Sequence, residues 1–266
     1  NNYSDSKSVM NDVRYTEKNV QLLQARGRRA FFEYAPLRPH GAAEQQRLYR
    51  VLPQGPLADI FVIDMRTYRG PNSANLQTTE SAETDFIGRP QMAWLLQGLQ
   101  QSKATWKIIA ADMPIGLFVP DGKDAEGRDQ WEAIANGEHG VPKGRELEMA
   151  RLLKGIKDAG IHNVVWLTAD VHYTAAHHYS PERAQFKDFA PFWEFVSGPL
   201  NAGGFGPNEA DRTFGLDVVF HKAPPKANSA PSEGYQFFGQ LDIDHKSRAL
   251  TVFFNDTAAA EIYTKT

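Results

Sequence analysis

Three apolar runs along the chain stop abruptly at polar residues. Ile60-Phe-Val-Ile63 gives way to Asp64 and Arg66, Trp106 to Ala111 gives way to Asp112, and Val164-Val-Trp-Leu-Thr168 gives way to Asp170 and His172. Short runs rich in β-branched, aromatic and leucine residues read as strands buried on both faces. Between them the period changes. Met92, Leu95, Leu96 and Leu99 predict an amphipathic helix from Pro90 to about Gln101, and Leu147, Ala150, Leu153 and Ile156 predict one over Arg145 to Ala159, stopped by Gly160. Another helix is expected over about Val13 to Tyr34, before Pro36.

Shorter strands are expected around Arg47 to Val51, within 44–52, and over Trp193 to Ser197. Tyr235 to Asp242, Ala249 to Asn255 and Glu261 to Thr264 predict a closing antiparallel meander. Gly70 to Asp85 reads as a loop, Asp121 to Gly144 as a surface excursion, and Gly198 to Gly206 as a tight glycine-rich loop near the strand ends. Helix and strand alternate through the middle of the chain, which points to α/β or α+β layers. No internal repeat or linker divides residues 1–266, so one domain is expected.

Composition narrows the function less than the pattern does. At 266 residues the chain can bury one substantial core. A formal net charge of -3 gives no general basic footprint for nucleic acid. No run of residues has the length and apolarity of a transmembrane helix. With no cysteine there is neither a disulfide framework nor a thiolate metal site, and the redox compartment stays open. The sequence starts at Asn1 rather than Met, and the expectation is that it begins inside a longer gene product.

The candidate chemistry lies at the strand ends. In an extended strand, positions two apart share a face, so Asp170 and His172 would aim a carboxylate and an imidazole at one point. That suits a metal ion, although a simple hydrogen-bonded pair has the same sequence. Asp64 and Arg66 have the same spacing and read either as an ion pair or as part of a site. Asp112, before Met113-Pro114, is either a turn cap or a third polar group at the same sheet edge. His177 and His178 are read in the loop that follows, with at most one facing the site. Carboxylates with one imidazole suit an oxygen-preferring ion. The glycine run lacks P-loop spacing, and no G-x-S-x-G elbow is present.

Longer segments then resemble a known family. Phe61-Val-Ile-Asp-Met-Arg-Thr-Tyr-Arg69, Gly88-Arg-Pro-Gln-Met-Ala-Trp94 with Ser102-Lys-Ala-Thr-Trp-Lys107, Gly144-Arg-Glu-Leu-Glu148, Asn163-Val-Val-Trp-Leu-Thr-Ala-Asp-Val-His-Tyr173 and Phe192-Trp-Glu-Phe-Val-Ser-Gly-Pro199 occur in order along most of the chain. They resemble the PhoD-like alkaline phosphatases of the calcineurin-like metallophosphoesterase superfamily.

The resemblance implies the C-terminal half of a four-layer αββα sandwich with a metal centre at its strand ends. It implies hydrolysis of phosphate monoesters or diesters by a metal-bound hydroxide, with phospholipase D activity in some relatives, in a secreted or periplasmic protein. Carried over by position, Asp170 and His172 would be metal ligands with catalytic roles, and Asp112 a third ligand. Arg66 and His177 would contact substrate phosphate. The implied cofactors are iron with calcium or another divalent ion, zinc or manganese included.

The family's earlier ligands, in a D-x-C or D-x-G strand end, an Asp with a nearby Tyr and a W-D-D-H-E segment, do not occur in this sequence. Asn1-Asn2 resembles the residues that follow the last of these. The N-terminal half of the same gene product, as a separate and tightly associated chain, is therefore the expected partner. A non-catalytic interaction or regulatory remnant of the same fold is the alternative.

Overall fold

The structure, a computed structural model, describes residues 3–38, 47–255 and 260–264, with side chains through 254. Asn1, Asn2, His40 and Glu44 lie outside the described residues.

The three polar-ended runs become neighbouring parallel strands. β1 (Arg50–Gln54), β2 (Ala58–Val62), β3 (Trp106–Ala110), β6 (Val164–Thr168), β7 (Thr174–Tyr179), β8 (Phe192–Val196) and β9 (Leu216–Lys222) form one seven-stranded sheet in the order β1-β2-β3-β6-β8-β7-β9. β2, β3, β6 and β8 run parallel, while β1 pairs antiparallel with β2, and β7 with both β8 and β9. Backbone bonds from Ile63 to Ala110, Ala111 to Leu167 and Ala169 to Asp112 carry the ladder just past the strand ends. Asp64, Asp112 and Asp170 consequently leave one sheet edge side by side.

Each face of this sheet is covered differently. On one side lie α2 (Arg89–Gln101) and α3 (Glu146–Asp158), whose Met92, Leu95, Leu99, Leu152, Leu153 and Ile156 join Phe61, Ile109 and Trp166 of the sheet in the main core. On the other side a three-stranded antiparallel sheet, β10 (Phe238–Ile243), β11 (Leu250–Asn255) and β12 (Ala260–Thr264), contributes Leu250, Val252 and Phe254 against Ala58, Trp106, Ile108, Val165 and Phe195. Alternation in β11 turns 250, 252 and 254 inward. The order of layers is α, β, β, in keeping with the αββα expectation.

Some boundaries differ from the sequence reading. α1 spans only Val20–Tyr34, because Asn19 caps it by accepting the Leu22 N–H, and none of its residues is buried. β1 lies three residues later than expected. The segment after Tyr173 is a strand between β8 and the edge strand β9 rather than a loop, and β9 was not expected. The 121–144 excursion contains a hairpin of β4 (Pro120–Lys123) and β5 (Asp129–Trp131). No helix among the described residues is long and apolar enough to cross a membrane.

Candidate active site

Arg66 is the centre of the strand-end cluster. Its Nε donates to Asp112 Oδ2 at 2.6 Å, one terminal nitrogen to Glu132 Oε1 at 2.6 Å, and the other to Asp170 Oδ1 at 3.3 Å. These groups come from the ends of β2, β3 and β6 and from the segment after β5. One guanidinium faces three carboxylates, so the cluster carries excess negative charge once all three are ionised. Burial, followed by the charge of Asp112, raises the Asp170 pKa to about 6, although Arg66 acts in the opposite direction. Asp170 is therefore ionised above about pH 6.

Asp64 does not pair with the Arg66 guanidinium, which corrects the ion-pair reading. Its Oδ1 accepts the backbone N–H groups of Arg66 and Thr67, the local turn an aspartate readily forms. Gln91, at the start of α2, holds both backbone groups of Asp64: its Oε1 accepts from the Asp64 N–H, and its Nε2 donates to the Asp64 carbonyl. Asp64 Oδ2 is buried with no hydrogen-bond partner.

The backbone turns out of β6 before Asp170. Asp170 and His172 both adopt left-handed conformations, with φ of 58° and 57°, around the buried Val171. The extended-strand argument for their shared face does not hold. Asp and His tolerate this region better than most residues, so the local turn suits the sequence. His172 is oriented by the glycine-rich loop: its Nδ1 donates to the Gly203 carbonyl at 2.5 Å, its own carbonyl accepts the Phe205 N–H, and the Phe205 ring lies 5.2 Å from its ring. Because a carbonyl only accepts, Nδ1 carries the proton, and in the neutral ring Nε2 is the acceptor. A histidine fixed through one nitrogen in this way has the arrangement of many metal-binding imidazoles.

His177 does not belong to this cluster. It is fully buried, and its Nδ1 meets Glu194 Oε2 at 2.8 Å in a polar network inside the core. Tyr179 Oη donates to the same oxygen, the Ile115 N–H donates to Glu194 Oε1, and the Gly116 N–H donates to Tyr179 Oη. A side chain with no exposed surface has no route to a phosphate ester. Its effect is indirect, since the network holds residues 115 and 116, just beyond Asp112.

Glu132 was missed because it lies in the segment read as a surface excursion. Two buried arginines fix it. Arg145 donates to the carbonyls of Trp131, Glu132 and Ala133, and Arg69 donates to the Glu132 carbonyl. Their guanidinium groups lie against the Phe86 ring at 4.7 Å for Arg69 and 5.5 Å for Arg145. Burial, and after it the neighbouring Arg66, lowers the Arg69 pKa to about 10. The run Ala133-Ile-Ala135, fully buried, was the one sequence signal that this segment enters the core.

The donor types fit part of a metal shell. Asp170, Asp112 and the Nε2 of His172 are the oxygen and imidazole donors that a hard or borderline cation takes, and the excess negative charge favours one. Among the described residues, however, no group of three or more His, Asp or Glu side chains is arranged to hold a metal ion.

Beside the cluster opens a cavity of about 710 Å³. Asp64, Arg66, Thr67 and Asp121 line it beside the cluster, and the rest of its lining mixes apolar residues, Tyr3, Val9, Tyr15, Val20, Leu23, Gly27, Phe31 and Leu48, with charged and polar ones, Lys7, Asp12, Arg14, Gln24 and Arg28. Arg66 belongs to both cavity and cluster, whereas Asp112, Asp170 and His172 do not line the cavity.

The PhoD-like phosphatase family model matches residues 1–254. Alkaline phosphatase D of Bacillus subtilis (strain 168) is 30% identical over 217 residues, which is 76% of this chain and 34% of that protein. A solved structure, described as the structure of PhoD, shares the fold with a TM-score of 0.56 at 22% identity, covering 100% of this chain and 53% of that one. The chain thus spans about a third of the Bacillus protein and about half of the solved chain. On the near full-length family match, the chain belongs to the PhoD-like phosphatase family.

Proposed function

We propose that this chain supplies one side of the active site of a phosphoesterase that hydrolyses phosphate monoesters or diesters. The observation that carries this reading is the gathering of Asp112, Glu132 and Asp170 around Arg66, on the ends of adjacent parallel strands and next to a ligand-sized cavity. Ligands collect at such edges in α/β sheets.

Arg66 would bind the phosphoryl group. Its contact to Asp170, at 3.3 Å, is the longest of its three, so that nitrogen is the one able to share its N–H with a phosphoryl oxygen. Asp112 and Glu132 would keep the guanidinium plane in place meanwhile. His172, held by Gly203, would present Nε2 to the reacting centre. Asp170, His172 and Asp112 are this chain's contribution to a metal shell completed by residues outside it, with iron and calcium, or zinc or manganese, as the ions the resemblance suggests. Metal ions in such sites neutralise charge on phosphoryl oxygens and activate water as hydroxide. The chain's own share of the chemistry is to bind, orient and partly neutralise.

The remaining length of the relatives would come from the N-terminal half of the gene product as an associated chain. Two features support this. α1 buries none of its residues, and the outer face of the three-stranded sheet leaves Phe238 exposed. The location we infer is secreted or periplasmic, following the family resemblance. Phospholipid diesters are included among the substrates on the same ground.

A non-catalytic role for the fold is the competing reading, favoured by the absence of a complete metal group among the described residues. The complete gene product, purified and assayed for metal content and for hydrolysis of p-nitrophenyl phosphate and bis(p-nitrophenyl) phosphate, decides between them. Bound metal with turnover supports the enzyme. A metal-free, inactive complete protein supports the alternative.

A further inference from the structure

His172 is held through a residue that has no side chain of its own. Its Nδ1 donates to the Gly203 carbonyl, and glycine is the residue whose backbone is least constrained. Gly203 is nonetheless required, because a Cβ at that position would meet Asn228 Oδ1 at 2.5 Å. The carbonyl that fixes the imidazole therefore sits at the softest point of its loop. Groups outside Gly203 have to hold it.

The loop is tied at two points to the segment that precedes β10. The Phe237 N–H donates to the Pro199 carbonyl at 2.8 Å, and Gly204 and Ser229 exchange backbone hydrogen bonds at 3.0 and 3.3 Å. Between these ties, the hydrogen bonds that the described residues make to the loop backbone are that of His172 at Gly203 and those of one side-chain amide, Gln236, at Ala202. Gln236 Oε1 accepts the Ala202 N–H at 3.1 Å, and its Nε2 donates to the Ala202 carbonyl at 3.0 Å. The peptide before Gly203 is thus oriented by Gln236. The peptide after it, which carries the carbonyl facing His172, is oriented by Ser229 through the Gly204 N–H. Because peptide units are planar, fixing both of them fixes the two dihedrals of the glycine between them. Of the two anchors, only Gln236 acts through a side chain. Gln91 holds both backbone groups of Asp64 by the same pair of bonds.

We propose that Gln236 is a positioning residue for the reaction: through Ala202 and Gly203 it sets the carbonyl that keeps the proton on His172 Nδ1 and presents Nε2 to the reacting centre. This rests on the reading of His172 as a group that serves the reaction. It assigns a part in that reaction to a residue 64 positions further along the chain, in a segment that contributes nothing else to the strand-end cluster. A residue that merely fastened the loop would affect stability and leave the imidazole's contribution as it was.

A double-mutant cycle in the complete gene product tests it, because a residue that acts through another loses its effect once the other is gone. Gln236→Met keeps the length of the side chain and removes both bonds. It should lower kcat for p-nitrophenyl phosphate by about 10-fold, leave KM and inhibition by inorganic phosphate within about twofold, since Arg66 is untouched, and speed the stripping of bound metal by a chelator by about 10-fold. In a His172→Ala background the same substitution should change kcat by less than about twofold. Gln236→Ala, in which water can take the vacated space, serves if Gln236→Met does not fold. An equal loss in both backgrounds, or no loss in the folded single variant, would overturn the proposal and leave the phosphatase reading standing. Full turnover by His172→Ala would overturn the reading of His172 and the proposal with it.

Discussion

Arg66 and Asp112 meet at 2.6 Å across the ends of two adjacent parallel strands. This contact, with those to Glu132 and Asp170, makes a guanidinium the link that holds three carboxylates at one sheet edge. Removing it leaves like charges facing one another in a partly desolvated setting.

Arg66→Gln is therefore expected to destabilise the protein by about 2 kcal/mol at pH 8. The loss should shrink as pH falls through about 6 toward pH 4, because Asp170 takes up a proton there and one of the facing charges is lost. Urea unfolding at both pH values checks this. An equal loss at pH 4 and pH 8 would mean that charge is not the cause.

Glu194 joins residues from two other segments, accepting from the Ile115 N–H and Tyr179 Oη and meeting His177 Nδ1, with no exposure of its own. Glu194→Ala leaves these groups without partners and opens a cavity, at an expected cost of about 3–5 kcal/mol. Glu194→Gln, which keeps the shape, should cost less than half as much. Chemical denaturation of the two variants measures the difference, and equal losses would show that the carboxylate itself, rather than the volume it fills, carries the stability at this site.

Glu146 gives a pH dependence of definite sign. It is fully buried at the start of α3, and burial, followed by the charge of Asp211, raises its pKa from 4.5 to about 9. The folded state thus holds a proton that the unfolded chain releases. The stability this contributes is fully present below about pH 4.5 and is lost as pH rises through about 9. Glu146→Gln mimics the protonated form, so its melting temperature minus that of the unaltered protein should increase steadily from pH 5 to pH 10. A difference independent of pH would show that Glu146 does not titrate in this way.

The parts of the fold legible in the sequence were those with a strong period or a sharp stop. β2, β3 and β6 followed from apolar runs that break at aspartates, and α2 and α3 from leucine spacing with Gly160 as a terminator. β7 was not legible, because Thr174 to Tyr179 is a short run with two histidines, one facing the core and one half-exposed. Its burial depends on Glu194, a partner on another strand that supplies what His177 needs.

The same limit shaped the reading of the site. Asp64, Asp112, Asp170, His172 and Arg66 were visible as strand-end residues, but their pairing was not. Spacing suggested Asp64 with Arg66. The register of three parallel strands instead brings Arg66 to Asp112 and Asp170, and leaves Asp64 to the turn that follows it. Glu132 reaches the site only because Arg69 and Arg145 anchor its backbone from behind. Contacts of that kind, across dozens of residues, leave no local signature.

The most direct test is the kcat/KM for p-nitrophenyl phosphate hydrolysis by the complete gene product, with and without changes in the strand-end cluster. Arg66→Gln, Asp170→Asn and His172→Ala should each lower it by about 100-fold or more while far-ultraviolet circular dichroism shows the folded state retained. Turnover unchanged in all three folded variants would contradict the placement of the active site at this sheet edge.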